Sequence, residues 1–240
     1  MNSTLLELLW SVPAVSGNET ELGIILDDYM KNNCLWQRQD SFGNHYYGIG
    51  SFSHVDVAIV AHMDEIGLII SSALPTGLLL AEPRGLLYPS QYFGQQIKIR
   101  TNHKDIFGTA YTTHKMQKNH MFNPFMIDIG ANDVEDAMMQ VCLGDCAIVD
   151  LKYKISSNGF IIGRGLDNKI GVYLALELIK GLYNSMNTTN TCIILTTGEE
   201  ISSGNAKKAV EGVHPDKCII IDAINDTCYT KMDRTKYVQI

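Results

Sequence analysis

Val55-Asp56-Val57-Ala58-Ile59-Val60-Ala61-His62-Met63-Asp64 is the stretch that decides the fold. Val55–Ala61 is a short, nearly continuous apolar run, the mark of a strand covered on both faces, as in sheets flanked by helices on each side. Downstream, from Gly165, helix and strand signals alternate: Asn168–Leu182, Thr191–Thr196, Gly204–Glu211 and Cys218–Ile221. That alternation implies βαβ units and a parallel sheet. Upstream, Leu5, Leu8 and Leu9 have helical spacing, and Leu22, Ile25, Leu26, Tyr29 and Met30 repeat it behind the capping residues Ser16-Gly17-Asn18-Glu19. Strand signals at Cys34–Gln39 and His45–Ile49 flank a turn at residues 40–44, and Gly67–Ala73 and Gly77–Ala81 follow as further strands.

Between about residues 75 and 160 the signals are mostly short strands and turns: Gln96–Arg100, Ile106–Thr112, Met126–Ile129 and Cys146–Tyr153, with one helix at Asn132–Val141. The expectation is an α/β domain of residues 1–75 and 160–240, interrupted by an inserted small β-rich module of residues 76–159.

Composition narrows the function. The 240 residues carry a formal net charge of −7, which offers no basic face for nucleic acid or an anionic membrane surface. Charged residues make up 19% and apolar ones 45%, enough to build a core and unlike a disordered chain. No apolar run approaches the ~20 residues that span a bilayer. The N-terminus lacks a positive leader and Glu7 interrupts its apolar stretch, so no signal peptide is expected. Six cysteines in 240 residues do not make a disulfide scaffold. Cys192 and Cys218, inside strand-like runs, read as small hydrophobes. A soluble cytoplasmic protein with reduced thiols is expected.

The chemistry gathers at strand ends. His62 and Asp64 follow the first buried strand, Glu199 and Glu200 follow Thr191–Thr196, Asp222 ends Cys218–Ile221, and Asp167 stands at a helix start. Ligands in open α/β sheets bind beyond the carboxyl ends of the strands. One imidazole with several carboxylates there suits Zn²⁺, Co²⁺ or Mn²⁺. Asp222, directly after an apolar strand, is expected to be partly buried and paired. Taken singly, His62 reads as a core histidine, Asp167-Asn168 as a helix cap and Glu199-Glu200 as a solvated pair; their joint placement favours a site. Dinucleotide, P-loop and nucleophile-elbow motifs are absent, and His103, His114 and His120 read as a solvated loop.

Ala61-His62-Met63-Asp64-Glu65-Ile66-Gly67 resembles the first metal-binding signature of the cytosolic metallo-aminopeptidases that include glutamyl aminopeptidase and the tetrahedral dodecameric aminopeptidases, metallopeptidase family forty-two. The likeness continues in order through Val15-Ser16-Gly17-Asn18-Glu19, Asp40-Ser41-Phe42-Gly43-Asn44, Ile127-Asp128-Ile129-Gly130-Ala131, Gly144-Asp145, Gly165-Leu166-Asp167-Asn168-Lys169-Ile170-Gly171 and Thr197-Gly198-Glu199-Glu200. It implies an α/β metallopeptidase domain with a mixed sheet. It also implies up to two divalent ions, zinc or cobalt, acting on short peptides in a homo-oligomer.

By this resemblance Asp167 would bridge two ions, His62 and Asp222 would complete one, and Glu200 would hold the other. Glu199 would be the general base, and Asp64 would orient His62 through its ring N–H. The sequence also departs from the pattern. Gly198 stands where the family usually has Gln, and Thr113-His114-Lys115 replaces a Pro-Pro-His-like turn. Eighteen residues follow Asp222, His214 is the last histidine, and another βαβ unit needs ~30 residues or more. The expectation is a C-terminally truncated chain without the family's final histidine ligand, with a weak second metal site and uncovered apolar surface. The alternative is a catalytically inactive homologue that assembles with a full-length relative.

Overall fold

The computed structural model describes residues 2–88, 92–111, 125–186, 189–202 and 204–224. The chain opens with two helices, α1 (Ser3–Ser11) and α2 (Thr20–Met30), followed by β1 (Trp36–Gln39), β2 (His45–Ile49) and β3 (Val57–His62). After a long excursion it returns through α4 (Leu166–Asn184), β12 (Thr191–Thr196), α5 (Gly204–Glu211) and β13 (Lys217–Ile220). These strands form one mixed sheet in the order β1-β2-β12-β3-β13. β12 and β13 run parallel to β3 on either side of it, while β2 is antiparallel to β12 and β1 to β2.

Period-two alternation sends side chains to both faces of this sheet. Ile59, Ala61, Ile193 and Leu195 pack on one face against Leu5, Leu9, Leu22, Leu26, Val172, Leu176 and Ile179 from α1, α2 and α4. Ala58, Val60, Cys192 and Ile194 pack on the other with Tyr46 and Ala209 of α5. The apolar character of β3 and β12 therefore has a direct cause: helices cover both sides.

The excursion is a six-stranded antiparallel barrel closed in the order β4-β5-β8-β7-β6-β9. Its strands are β4 (Gly67–Ala73), β5 (Leu79–Arg84), β6 (Gln96–Arg100), β7 (Asp105–Tyr111), β8 (Phe125–Asp128) and β9 (Cys146–Val149). Leu68, Ile70, Leu79, Ile97, Ile99, Ile127 and Ala147 fill it, with Ala137 of α3 (Val134–Gln140) among them. Closure leaves the ring without a free edge. β4 pairs with β5 and β9, so the change of sheet falls before Gly67, not after residue 75. Val15 packs against Cys146 and Ile148 to join barrel and sheet. Gly67 permits that approach, since a Cβ there would lie 2.4 Å from Val15.

Two further expectations change. The strand expected over Cys146–Tyr153 stops at Val149, and the chain continues into a two-stranded hairpin, β10 (Lys154–Ile155) with β11 (Ile161–Ile162). β13 is exposed at all four residues, so Cys218 is not a core residue as Cys192 is. Among the described residues β13 has a neighbour on one side only, and no helix covers it as helices cover β3. His103 is exposed; Thr113, His114, Lys115 and His120 lie outside the described residues.

Candidate metal centre and active site

Parallel register assembles the site. Thr196 of β12 pairs with His62 of β3, and the Ile221 N–H donates to the Val60 carbonyl at 2.8 Å. The Glu199-Glu200 turn and Asp222 therefore emerge on either side of His62. Asp167 arrives from the start of α4, just after Gly165 in the left-handed region.

His62 Nε2 lies 3.0 Å from Asp167 Oδ1, 3.5 Å from Asp222 Oδ1 and 4.0 Å from Glu199 Oε2. Donor atoms of His62, Asp167 and Asp222 all fall within 4.8 Å of one another. Glu200 stands outside that group of three, although it feels the charges of Asp167 and His62. Asp222 is paired as expected but is 47% exposed, not partly buried, because the strand that carries it is open to solvent.

Asp64 organises the cluster from behind. It is fully buried and accepts from the backbone N–H of Glu199 at 3.1 Å, the N–H of Glu200 at 3.0 Å, and the Ser16 hydroxyl. Its backbone carbonyl lies 3.1 Å from His62 Nδ1, and its carboxylate 3.4 Å. The ring N–H thus points inward and Nε2 faces the carboxylates. Behind this, Asn44 Oδ1 accepts from the Thr197 N–H and Glu19 from the Gly198 N–H. Asp40 holds the preceding loop through Phe42, Asn44 and Tyr46.

Asn168 is a residue whose role sequence reasoning missed. It is buried; its Oδ1 accepts from Gly171 N–H at 3.0 Å and its Nδ2 donates to the Ile221 carbonyl at 2.8 Å. It therefore ties the turn bearing Asp167 to the strand end bearing Asp222. Glu65, Arg164 and Lys169 were also not foreseen as a unit. Glu65 pairs with Arg164 and, at 3.2 Å, with Lys169, all largely buried. Burial alone would raise the Glu65 carboxyl, but the two cations hold it below its ordinary value.

The electrostatics fit a divalent cation. Burial pushes Glu200 up to about 7, aided by the Asp167 charge. Glu199 is raised by burial and by Asp222, Asp64 and Asp167, with His62 opposing. Burial would lower His62, but Asp167 and Asp64 override it and hold the imidazole at about 10. Among the described residues no lysine or arginine forms an ion pair with Asp167, Asp222, Glu199 or Glu200, so His62 supplies the cluster's cationic partner. A site that concentrates carboxylates around one imidazole, with no lysine or arginine paired to them among the described residues, suits a divalent cation.

The fold and sequence have relatives. The lysyl aminopeptidase of Pyrococcus furiosus is 25% identical over 91% of this chain and 65% of its own length. The chain thus spans about two thirds of the relatives it matches. The TET aminopeptidase structure from a marine-sediment Thaumarchaeota archaeon superposes with a TM-score of 0.85 at 22% identity, covering 95% of this chain and 68% of that one. A Pyrococcus horikoshii TET1 peptidase, reported to assemble into a tetrahedron or a large octahedral shell, gives 0.80 at 24% identity over 92% of this chain and 68% of its own. With the family model for M42 glutamyl aminopeptidase matching residues 43–238, the chain belongs to the M42 peptidase family.

Proposed function

We propose that the protein is a metal-dependent aminopeptidase-like hydrolase that removes N-terminal residues from short peptides. The observation that carries this reading is the donor cluster of His62, Asp167 and Asp222 with the Glu199 carboxylate 4.0 Å from the same imidazole nitrogen. His62, Asp167 and Asp222 would hold one zinc or cobalt ion, and Asp167 with Glu200 a second, weaker one. Such ions, when bound, lower the pKa of water and polarise a scissile carbonyl.

The remaining chemistry belongs to the chain. Glu199 Oε2 takes the proton of the attacking water as the new C–O bond forms. It returns that proton to the departing nitrogen as the peptide C–N bond breaks. Asp64 keeps Glu199 in reach by holding its backbone N–H. The surplus of carboxylates attracts the α-ammonium of a free peptide end. The 67–149 barrel is an inserted module beside this site. A cytoplasmic setting fits the free thiols of the described cysteines, and no helix among the described residues is long and apolar enough to cross a membrane.

Glu199→Gln tests the assignment. It should lower turnover of aminoacyl substrates at least 100-fold while zinc binding stays within twofold of the parent. Turnover within twofold of the parent would refute the role of Glu199.

One observation favours a second reading, a catalytically inactive assembly subunit. Ile219 and Ile220 on β13, one toward each face of the sheet, are 50% and 65% exposed, apolar edge-strand surface suited to a second copy or a full-length relative. A homo-oligomer satisfies both readings, and light scattering on the purified chain reports it.

A further inference from the structure

β3 and β13 carry a second imidazole–carboxylate group at their other ends. Asp56 immediately precedes β3 and Asp216 immediately precedes β13. The parallel register that pairs Val57 with Lys217 sets these two aspartates side by side, one strand length (about 20 Å) from His62. Backbone bonds hold them there. The Asp216 N–H donates to the Val55 carbonyl at 3.1 Å, the Lys217 N–H to the Asp56 carbonyl at 3.0 Å, and the Asp56 N–H to the Asn190 carbonyl at 2.8 Å.

Asp56 is oriented as a ligand is. Its Oδ2 accepts from the Asn190 N–H at 3.0 Å, which turns Oδ1 toward His54. His54 Nε2 lies 3.0 Å from Asp56 Oδ1 and 3.7 Å from Asp216 Oδ2, with the three donor atoms inside 4.8 Å. Four ligands about a zinc at ~2.0–2.1 Å stand ~3.4 Å apart, and the two observed separations straddle that value. The arrangement repeats, at the amino ends of the strands, the 3.0 and 3.5 Å spacings of the His62 group. Like charges directly opposite on neighbouring strands are unfavourable unless something positive lies between them.

We propose that His54, Asp56 and Asp216 form a second, independent site for a zinc-class divalent cation. The side chains are 60%, 35% and 64% exposed, so water can complete the coordination without rearrangement of the chain. An ion there joins the start of β13 to the start of β3. It steadies an otherwise exposed strand whose far end carries Asp222. The single imidazole sets the preference for a zinc-class ion over calcium, which takes six to eight oxygens.

The test uses the full chain and zinc alone, read by equilibrium dialysis with elemental analysis. His62→Ala, combined with Asp167→Asn so that neither ion of the first cluster keeps its full ligand set, should keep one bound zinc. Adding His54→Ala or Asp216→Asn should raise the dissociation constant of that ion at least tenfold. His54 is on the surface, so the parent against His54→Ala gives the same comparison, as the loss of one ion, should the double variant fail to fold. Equal zinc binding with and without His54 overturns the proposal. So does millimolar calcium displacing the ion from the doubly substituted chain. Neither result depends on peptidase activity, so failure here leaves the function proposed above to its own test.

Discussion

Asp64→Asn changes one oxygen into an amide nitrogen and nothing in size, which isolates what the carboxylate does. Asp64 Oδ1 faces the Glu199 N–H and His62 Nδ1; Oδ2 faces the Glu200 N–H and the Ser16 hydroxyl. Whichever way the amide is turned, its NH₂ meets a backbone N–H. The less costly orientation places NH₂ on the Ser16 side, where the hydroxyl can reverse and accept. The Glu200 N–H is then left without its acceptor. A lost charge-assisted hydrogen bond is worth about 1.5–3 kcal/mol and an unsatisfied buried donor adds to it, giving about 3 kcal/mol in all. For a chain of this length each kcal/mol moves Tm by roughly 2–4 °C, so a fall of about 6–12 °C is expected. Differential scanning calorimetry of parent and variant in metal-free buffer measures it. A Tm within 2 °C of the parent would show that Asp64 does not hold the Glu199-Glu200 turn, and the argument for its positioning role would fail.

Other outcomes are equally specific. Asp40 accepts four hydrogen bonds from its loop. Burial opposes its ionisation, but the Asn44, Tyr46 and Phe42 donors lower its carboxyl below the ordinary 3.8. A lowered pKa means stabilisation that is present above 3.8 and lost as pH falls through the folded-state value. Asp40→Asn should therefore cost about 1 kcal/mol at pH 6, with the deficit in urea midpoint closing below pH 4; a pH-independent gap would contradict this. Gly198 sits at φ +68° with room for a Cβ, the nearest atom being 3.5 Å away. Gly198→Ala should then cost about 1 kcal/mol from backbone conformation alone, and a stabilised variant in thermal melts would rule that out. Burial pushes Cys34 up to about 11 and Cys146 and Cys192 up to about 12, whereas Cys142 and Cys218 are exposed. Iodoacetamide at pH 8 followed by peptide mapping should label the latter two and spare the former three, and fast labelling of Cys192 would be inconsistent with its burial. Zinc at about 100 times its dissociation constant should add about 2.7 kcal/mol, raising Tm by roughly 5–10 °C, reversed by EDTA; an unchanged melt would count against a folded-state metal centre.

Much of this was visible in the sequence because its signals were local. An apolar run ending in His62, and three more strand or helix ends bearing carboxylates, forecast which side chains the fold draws toward one another, without any knowledge of distance. What stayed hidden depends on partners far along the chain. Lys169 and Arg164 look like solvated charges until Glu65, some hundred residues earlier, is folded onto them. Asn168 looks like a helix cap until the Ile221 carbonyl comes within 2.8 Å. The order of the barrel strands was equally invisible, since nothing in β4 announces that β9 will close the ring. Asp222 was misjudged for a related reason: apolar residues in β13 suggest burial, but burial needs a neighbouring layer, and sequence composition does not say whether one is present.

The closing pair of the barrel has an evolutionary corollary. Leu68 on the first barrel strand faces Ala147 on the last, so the polypeptide departs from the sheet and rejoins it through adjacent threads. Exit and return thus lie at neighbouring points in space, with Val15 and the Glu21–Arg100 pair bracing the barrel from the other part of the chain. Loops at the far rim can therefore lengthen over generations without disturbing the strand that bears His62.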